Sequence, residues 1–258
     1  MLLEVHQERM LVISDLHLGN PYSLASEQLR DFLDWAITER YSLCINGDGL
    51  EILQASFTAL AAHSMDIIHH LRRFSDEGLG LYYIVGNHDI TLEHLLNGWM
   101  GEHISPFLNV YSGDLRIRVE HGHLYDPFFV RSPRLYAMCT TAMGPVLHVY
   151  PDVYRLWSWY QRFKESRRKA SNPDVPGHGS SFHEAAEMLL SRGFDIVVFG
   201  HTHKPEVSSM DGGGVYINSG NWMREATFVQ IDDGKVQLLQ WDGQRPQLVQ
   251  ETPKLLTG

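Results

Sequence analysis

Five short polar motifs, each closing an apolar run of strand character, constrain this chain more than any other feature. Asp15-Leu16-His17 follows Met10 to Ile13, Gly47-Asp48 follows Tyr41 to Ile45, and Gly86-Asn87-His88-Asp89 follows Leu81 to Val85. Further on, His121-Gly122-His123 follows Leu115 to Val119, and Gly200-His201-Thr202-His203 follows Asp195 to Phe199. Short apolar runs bounded by Gly, Asp and Asn read as buried strands. Between the first two runs, Leu29, Phe32, Leu33, Ala36 and Ile37 recur at helical spacing, and a stretch ending near Arg73 reads as a second helix. The resulting β-α-β-α-β order favours parallel strands with helices packed on the sheet. Strand ends in such a sheet converge on one edge, where ligands bind.

The rest of the chain extends this pattern. Phe107 to Tyr111 is a further strand-like run, a helix is expected over Phe182 to Leu190, and Asp232-Asp233-Gly234-Lys235 is a hairpin turn between Phe228 to Ile231 and Val236 to Trp241. Leu124 to Gly179 interrupts the alternation. The expected organisation is therefore one catalytic domain over residues 1–258, with residues 124–179 a helical insertion, a lid, within it. At 258 residues the chain is long enough for one large core. It shows no internal repeat and no low-complexity segment.

Composition narrows the function. A formal net charge of −10 argues against broad phosphate-driven binding, so no nucleic-acid partner is expected. Glu4 and Glu8 stand where a signal peptide carries bases, and no apolar run is long enough to span a bilayer. The expected location is cytoplasmic, with any membrane contact peripheral. Cys44 lies in an apolar run and reads as a buried thiol; neither it nor Cys139 looks catalytic. Of 15 histidines, six fall within the five motifs.

Taken singly, each motif is weak: an Asp-x-His is commonly a surface coincidence, and Asn87 alone is a turn residue. Together, in this order and at successive strand ends, they resemble the calcineurin-like metallophosphoesterases, known by D-x-H, G-D, G-N-H-D/E, H and G-H-x-H. The resemblance runs from Asp15 to His203. It implies a four-layer α/β/β/α sandwich carrying two divalent metal ions. By that resemblance Asp15, His17 and His203 would hold one metal, Asn87, His121 and His201 the other, and Asp48 would bridge both. His88, paired with Asp89, would contact the scissile phosphate. Imidazole, carboxylate and amide donors without thiolate suit Mn²⁺, with Fe²⁺ or Zn²⁺ also accommodated. Two such ions can share a hydroxide whose pKa they lower and hold the phosphoryl oxygens, so water is the expected nucleophile. Asp89 is expected to orient His88 and favour its protonated form, and Glu51 to support the Asp48 loop. His123 either faces the site or supports the strand end.

Within that superfamily the layout is similar to the UDP-2,3-diacylglucosamine diphosphatases of lipid A synthesis, which carry a helical insertion between the fourth and fifth motifs. Two departures fall in the reaction centre: His88 stands where that group typically has Arg, and His121-Gly122-His123 where it has His-Gly-Asp. The insertion combines Tyr154, Trp157, Trp159, Tyr160 and Phe163 with Arg162, Lys164, Arg167, Arg168 and Lys169. One reading is a hairpin with a packed apolar face and a solvated basic face. The other is a lid whose Trp159 and Arg162 seat a phosphate-bearing, lipid-linked substrate at the inner face of an anionic membrane. A general phosphomonoesterase or cyclic-nucleotide phosphodiesterase, and less readily a nuclease, are the alternatives.

Overall fold

The computed structural model describes residues 3–20, 23, 25–51, 57–89, 103–136, 138–139, 141, 180–223 and 225–253. Its strands are β1 (Glu4–His6), β2 (Arg9–Ile13), β3 (Ser42–Asn46), β4 (Leu81–Ile84), β5 (His103–Ser105), β6 (Phe107–Ser112) and β7 (Leu115–Glu120). They continue with β8 (Ile196–Phe199), β9 (Glu206–Ser209), β10 (Val215–Asn218), β11 (Thr227–Asp232), β12 (Lys235–Trp241) and β13 (Pro246–Glu251). The helices are α1 (Ala25–Thr38), α2 (Phe57–Asp76), α3 (Pro127–Arg131) and α4 (Ser180–Leu190), with a 3-10 turn over His123–Tyr125.

The strands form two sheets. A seven-stranded sheet has the order β13-β12-β11-β2-β3-β4-β5, and a six-stranded sheet the order β1-β6-β7-β8-β10-β9. The expected parallel unit is the β2-β3-β4 centre of the first sheet, reached through α1 and α2. The tail folds back antiparallel as β11, β12 and β13. Asp233 and Gly234 both take positive φ (47° and 76°), the backbone that a two-residue hairpin turn with matching strand twist requires.

Residue alternation along the strands sets the layers. On β2, Met10 and Val12 face the six-stranded sheet and join Leu108, Val110, Ile117, Val119, Ile196, Val198 and Ile217 between the sheets. Leu11 and Ile13 face the other way, onto α1 and α2 through Leu29, Phe32, Leu33, Ile67, Leu71 and Phe74. Behind the six-stranded sheet, Val197, Phe199 and Tyr216 meet Phe182, Ala185, Ala186 and Leu189 of α4. The order α/β/β/α follows, and with it the expected sandwich. Cys44 is buried between the sheets.

Phe32 is the keystone of the outer layer. It is fully buried, and its ring lies 4.6 Å from that of Trp222, 5.0 Å from Phe228 and 5.6 Å from Trp241. Trp222 in turn gives its backbone N–H to the carbonyls of Ser14 and Asp15, at 3.2 and 3.3 Å, beneath the first motif. Phe32→Ala is expected to lower unfolding free energy by about 3–5 kcal/mol through lost burial and cavity formation. Urea denaturation measures this; a loss under about 1 kcal/mol would mean that the layer collapses around the gap.

Candidate metal centre

The five motifs sit on both sheets. Residues 15–17, 47–48 and 86–89 follow β2, β3 and β4 of one sheet, while residues 121–123 and 200–203 follow β7 and β8 of the other. The site is thus built where two sheet edges face each other, not on the single edge that the strand order alone suggests. Asn46 and His121 tie the edges together: Asn46 Nδ2 donates to the Glu120 carbonyl at 2.9 Å, and His121 Nδ1 donates to the Asn46 carbonyl at 2.8 Å. The His201 backbone N–H donates to Asp15 Oδ2 at 3.1 Å, a second tie across the sandwich.

The backbone is strained where these side chains leave it. Asp15, His17, Asp48, His201 and His203 all have φ between 45° and 65°. For residues with a Cβ this left-handed region costs about 1–2 kcal/mol each. Such strain gathers where a turn must aim a side chain that the surrounding structure then holds. Gly86 shows how little room remains: a Cβ there would collide with Oδ1 of Asp48.

Three groups of side chains bring ligand atoms within 4.8 Å of one another: Asp15, His17 and His203; Asp48, His121 and His201; and His17, Asp48 and His88. Asp48 Oδ2 lies between the first two, 3.8 Å from His17 Nε2 and 3.3 Å from His121 Nε2. Asn87 joins the second through Oδ1, 3.2 Å from His121 Nε2, its Nδ2 donating to the Tyr136 hydroxyl at 3.1 Å. His201 Nε2 lies 3.0 Å from Asp126 Oδ2, so its Nδ1 is the nitrogen left for a metal.

The protonation pattern fits a cation. His17 Nδ1 donates to Glu51 Oε2 at 2.8 Å, so in the neutral ring Nε2 carries a lone pair. That nitrogen is buried without a hydrogen-bond partner and faces Asp15 Oδ1 at 3.9 Å as well as Asp48. His121 repeats the arrangement, with Nδ1 spent on a carbonyl and Nε2 facing an amide oxygen and a carboxylate oxygen. Buried acceptors facing acceptors are stable only with a cation or a proton between them.

Without a metal, protons and charged rings fill that need. Burial alone would raise the carboxyl pKa values, but His121, His88 and His17 hold Asp48 well below the usual range. Burial also opposes the shift of Asp15, which His203 and His121 nevertheless draw down to about 2. Burial would lower His88 and His121. Asp48 and Glu51 instead lift His88 to about 9, and Asp48 and Asp15 lift His121 to about 10.

The structure corrects one expected pairing. His88 Nδ1 donates to Glu51 Oε1 at 2.7 Å, so Glu51, not Asp89, holds the ring. Asp89 is fully buried and accepts from Gly86 N at 2.6 Å, Gly49 N at 3.0 Å and the Tyr83 hydroxyl, which braces the loop behind the site. His123 is buried, its ring 5.5 Å from that of His121 and 5.1 Å from Phe129, with Nδ1 unpartnered. Burial, then the charges of His121 and His201, push its pKa down to about 3. Trp159 and Arg162 lie outside the described residues. Asp126 and Tyr136 were missed by sequence reasoning, which had no signal to find them: neither belongs to a motif.

Residues 8–205 match the family described as calcineurin-like phosphoesterase. The chain belongs to this family. It is accordingly a metal-dependent phosphoesterase, and the expected resemblance holds. Among curated relatives, UDP-2,3-diacylglucosamine hydrolase of Pseudomonas putida strain F1 is 25% identical over 237 residues, 89% of this chain and 97% of its own. The protein of the same name from Pseudomonas syringae is 26% identical over 269 residues, covering 96% and 99%. A hypothetical protein of Pyrococcus horikoshii shares the fold, with a TM-score of 0.50, 11% identity, and 92% of this chain and 88% of that chain covered. Among the described residues no helix is long and apolar enough to cross a membrane.

These shifts imply a pH dependence for the metal-free chain. His88 and His121 have folded pKa values, about 9 and 10, above the ordinary 6.5; their contribution is full below 6.5 and lost as pH rises through 9 to 10. Asp15 and Glu51, both drawn down to about 2, contribute above the ordinary carboxylate pKa and lose this as pH falls through 2. Neutral His123, at about 3, adds a loss as pH falls below 6.5. The urea midpoint of chelator-treated protein should therefore peak near pH 6.5 and drop by pH 9 to 10. Mn²⁺ should stabilise more at higher pH, because it displaces those protons. A flat alkaline limb without metal would mean that the histidines do not carry this charge.

Proposed function

We propose that the chain is a dinuclear, Mn²⁺-dependent hydrolase that cleaves the diphosphate of an acylated nucleotide sugar resembling UDP-diacylglucosamine. The observation that carries this reading is end-to-end similarity to proteins named UDP-2,3-diacylglucosamine hydrolase, with 87–96% of this chain covered in the Stenotrophomonas maltophilia and Pseudomonas syringae relatives. Asp15, His17 and His203 would hold one ion, Asn87, His121 and His201 the other, with Asp48 between them. Bound there, the ions supply Lewis acidity toward the phosphoryl oxygens and an activated water.

The chain's own contributions follow from the contacts above. His88, with Nδ1 held by Glu51, turns Nε2 toward Asp48 at 4.0 Å and is placed to donate a proton to the leaving oxygen or to a developing charge. Phe129 packs edge to face against the His123 ring, 5.1 Å between centroids, beside the donors. Residues 124–179 act as the lid within a single catalytic domain over residues 1–258. Trp159 and Arg162 help to seat the substrate at the inner face of an anionic membrane. A phosphomonoesterase or small-diester phosphodiesterase is the second reading, favoured by His88 in place of the Arg typical of the lipid A group.

A panel of acylated nucleotide-sugar diphosphate, aryl phosphomonoester and aryl phosphodiester, each with Mn²⁺, separates the readings. Preference for the acylated diphosphate is expected; activity on the small esters with none on the diphosphate would select the second reading. Asp48→Ala should lose both metal and turnover. His88→Ala should keep two metal equivalents and lose on the order of 10²–10⁴ in rate. Loss of metal in that variant would make His88 a ligand. Trp159→Ala with Arg162→Ala should reduce turnover of the acylated substrate about tenfold, ~1.4 kcal/mol, while sparing the aryl ester. Equal effects on both substrates would remove the lid.

A further inference from the structure

We infer that Asp126 and Tyr136 are positioning residues for one metal ion and not for the other, so that the short segment between them governs whether the second ion is held. This rests on the proposed dinuclear site and deepens it. Of the donors assigned to one ion, His201 Nε2 lies 3.0 Å from Asp126 Oδ2, and Asn87 Nδ2 donates to the Tyr136 hydroxyl at 3.1 Å. An ionised carboxylate only accepts, so Asp126 keeps the His201 proton on Nε2 and leaves the Nδ1 lone pair for a cation. The phenol, by taking an amide hydrogen, turns Asn87 Oδ1 toward His121 Nε2 at 3.2 Å. The third donor, His121, is set from the sandwich itself, through the Asn46 carbonyl. The ion assigned to Asp15, His17 and His203 draws on different supports. His17 is held by Glu51, Asp15 accepts from the His201 backbone N–H, and the His203 carbonyl accepts from Asn221 Nδ2 at 3.2 Å. Each of these supports lies outside the segment from Asp126 to Tyr136.

That segment forms one small body. Asp126 Oδ1 caps α3 by accepting from the Phe128 N–H at 2.8 Å, and the Tyr136 N–H donates to the Ser132 carbonyl at 2.9 Å. The Tyr136 ring packs against Phe128 and Phe129, at 5.5 and 5.3 Å between centroids, so what moves Asp126 also moves Tyr136. Among the described residues its anchors on the sandwich lie at its start: Tyr125 stacks on Phe199 at 5.2 Å and donates to Glu120 Oε2 at 2.9 Å, and Phe129 meets His123 edge to face. Leu124, Phe128, Val130 and Leu135 are exposed. A segment with little buried apolar surface opens at low cost in free energy. Opening it releases the His201 ring and the Asn87 amide together, while Asp15, His17, Asp48 and His203 keep their own supports. The two sites are therefore unequal: the ion of Asp15, His17 and His203 binds first, and that of Asn87, His121 and His201 binds only with the segment seated.

Asp126→Ser separates the two tasks of the carboxylate, because serine still caps a helix but leaves His201 Nε2 without its partner. Tyr136→Phe keeps the ring packing and frees the Asn87 amide. Three measurements on the full chain test this: Mn²⁺ titration by calorimetry, Mn²⁺ electron paramagnetic resonance, and the thermal midpoint of the metal-free protein. Wild type should bind two equivalents in two resolved steps and, when loaded, show the spectrum of an exchange-coupled pair. In either variant the weaker equivalent should lose about 10–100-fold in affinity while the tighter one stays within about twofold. At stoichiometric metal the coupled spectrum should give way to that of isolated Mn²⁺, with the metal-free midpoint unchanged. Equal weakening of both equivalents, or no weakening of either, would show a merely structural segment and overturn the inference. Should wild type bind fewer than two equivalents, the dinuclear reading fails, and histidine side-chain ¹⁵N spectra decide the inference, with His201 assigned from its loss in His201→Gln. A wild-type His201 protonated at Nε2 that loses this preference in Asp126→Ser supports the positioning role; one protonated at Nδ1, or unaffected by the variant, overturns it.

Discussion

Two carboxylates buried between the edges of two sheets impose the conditions that the rest of this molecule meets. Asp15 is fully buried and Asp48 nearly so. An isolated carboxylate in such a place would protonate or unfold the chain around it, since the effective desolvation penalty is several kcal/mol per ion. Around them stand His17, His88, His121, His201 and His203, and most of the remaining ring nitrogens are committed to fixed partners: Glu51, the Asn46 carbonyl and Asp126. The left-handed backbone at five of the motif residues is the local cost of aiming them inward. A divalent cation relieves the anion repulsion and the unpaired lone pairs at once, which is why the fold and its metal chemistry cannot be considered apart.

The same constraint couples the site to packing between the sheets. The donors come from strand ends on both sides of an apolar layer that includes Val12 of one sheet and Val119 and Val198 of the other. Any slip of one sheet against the other would separate His121 and His201 from Asp48. The bonds from Asn46 to the Glu120 carbonyl and from His201 N–H to Asp15 work against that slip at the very edge where the site lies. Core packing thus sets the distance between donors, and the donors' own hydrogen bonds reinforce the packing. A cavity in this middle layer should be felt at the site sooner than one behind either helix, because interiors transmit displacement instead of absorbing it.

How much of this was legible in the sequence depended on the range of the interaction. The motifs and the strands that carry them were readable because a run such as Met10 to Ile13 and the polar turn after it are neighbours in the chain. α1 was readable because Leu29, Phe32, Leu33, Ala36 and Ile37 keep one face, and all five are buried. The Asp233-Gly234 turn was readable because few residues adopt positive φ easily. Partnership across the fold was not. Asp89 adjoins His88 in sequence, which suggested a pair, but adjacent side chains in a turn point apart, and Asp89 is taken by Gly86, Gly49 and Tyr83. Glu51 reached two rings that lie 34 and 37 positions away, and no local pattern encodes such a meeting. The short strands β1 and β5, three residues each, escaped for a different reason: neither is long enough to show alternation, and pairing with β6 and β4 makes them strands.

The segment from Asp126 to Tyr136 bears on the candidate site in a way that its own composition does not reveal. Asp126 caps α3 by accepting from the Phe128 N–H at 2.8 Å and also engages His201 Nε2 through its other oxygen. Ten residues on, the Tyr136 hydroxyl accepts from Asn87 while its ring packs tilted against Phe128 and edge to face against Phe129. One carboxylate therefore serves both as a helix cap and as the orienting partner of a candidate ligand, and one phenol fixes the amide orientation of another. Movement of this segment cannot leave the donor set untouched, because turning Asn87 or freeing His201 changes which atoms face the cleft. Nearby, Leu124, Phe128, Val130, Leu135 and Met138 are exposed, so the segment that grips the donors on one side offers apolar surface on the other. A substrate with an apolar portion that covered this surface would act on the donors through Asp126 and Tyr136, and binding energy gained away from the phosphorus would then tighten the geometry at it.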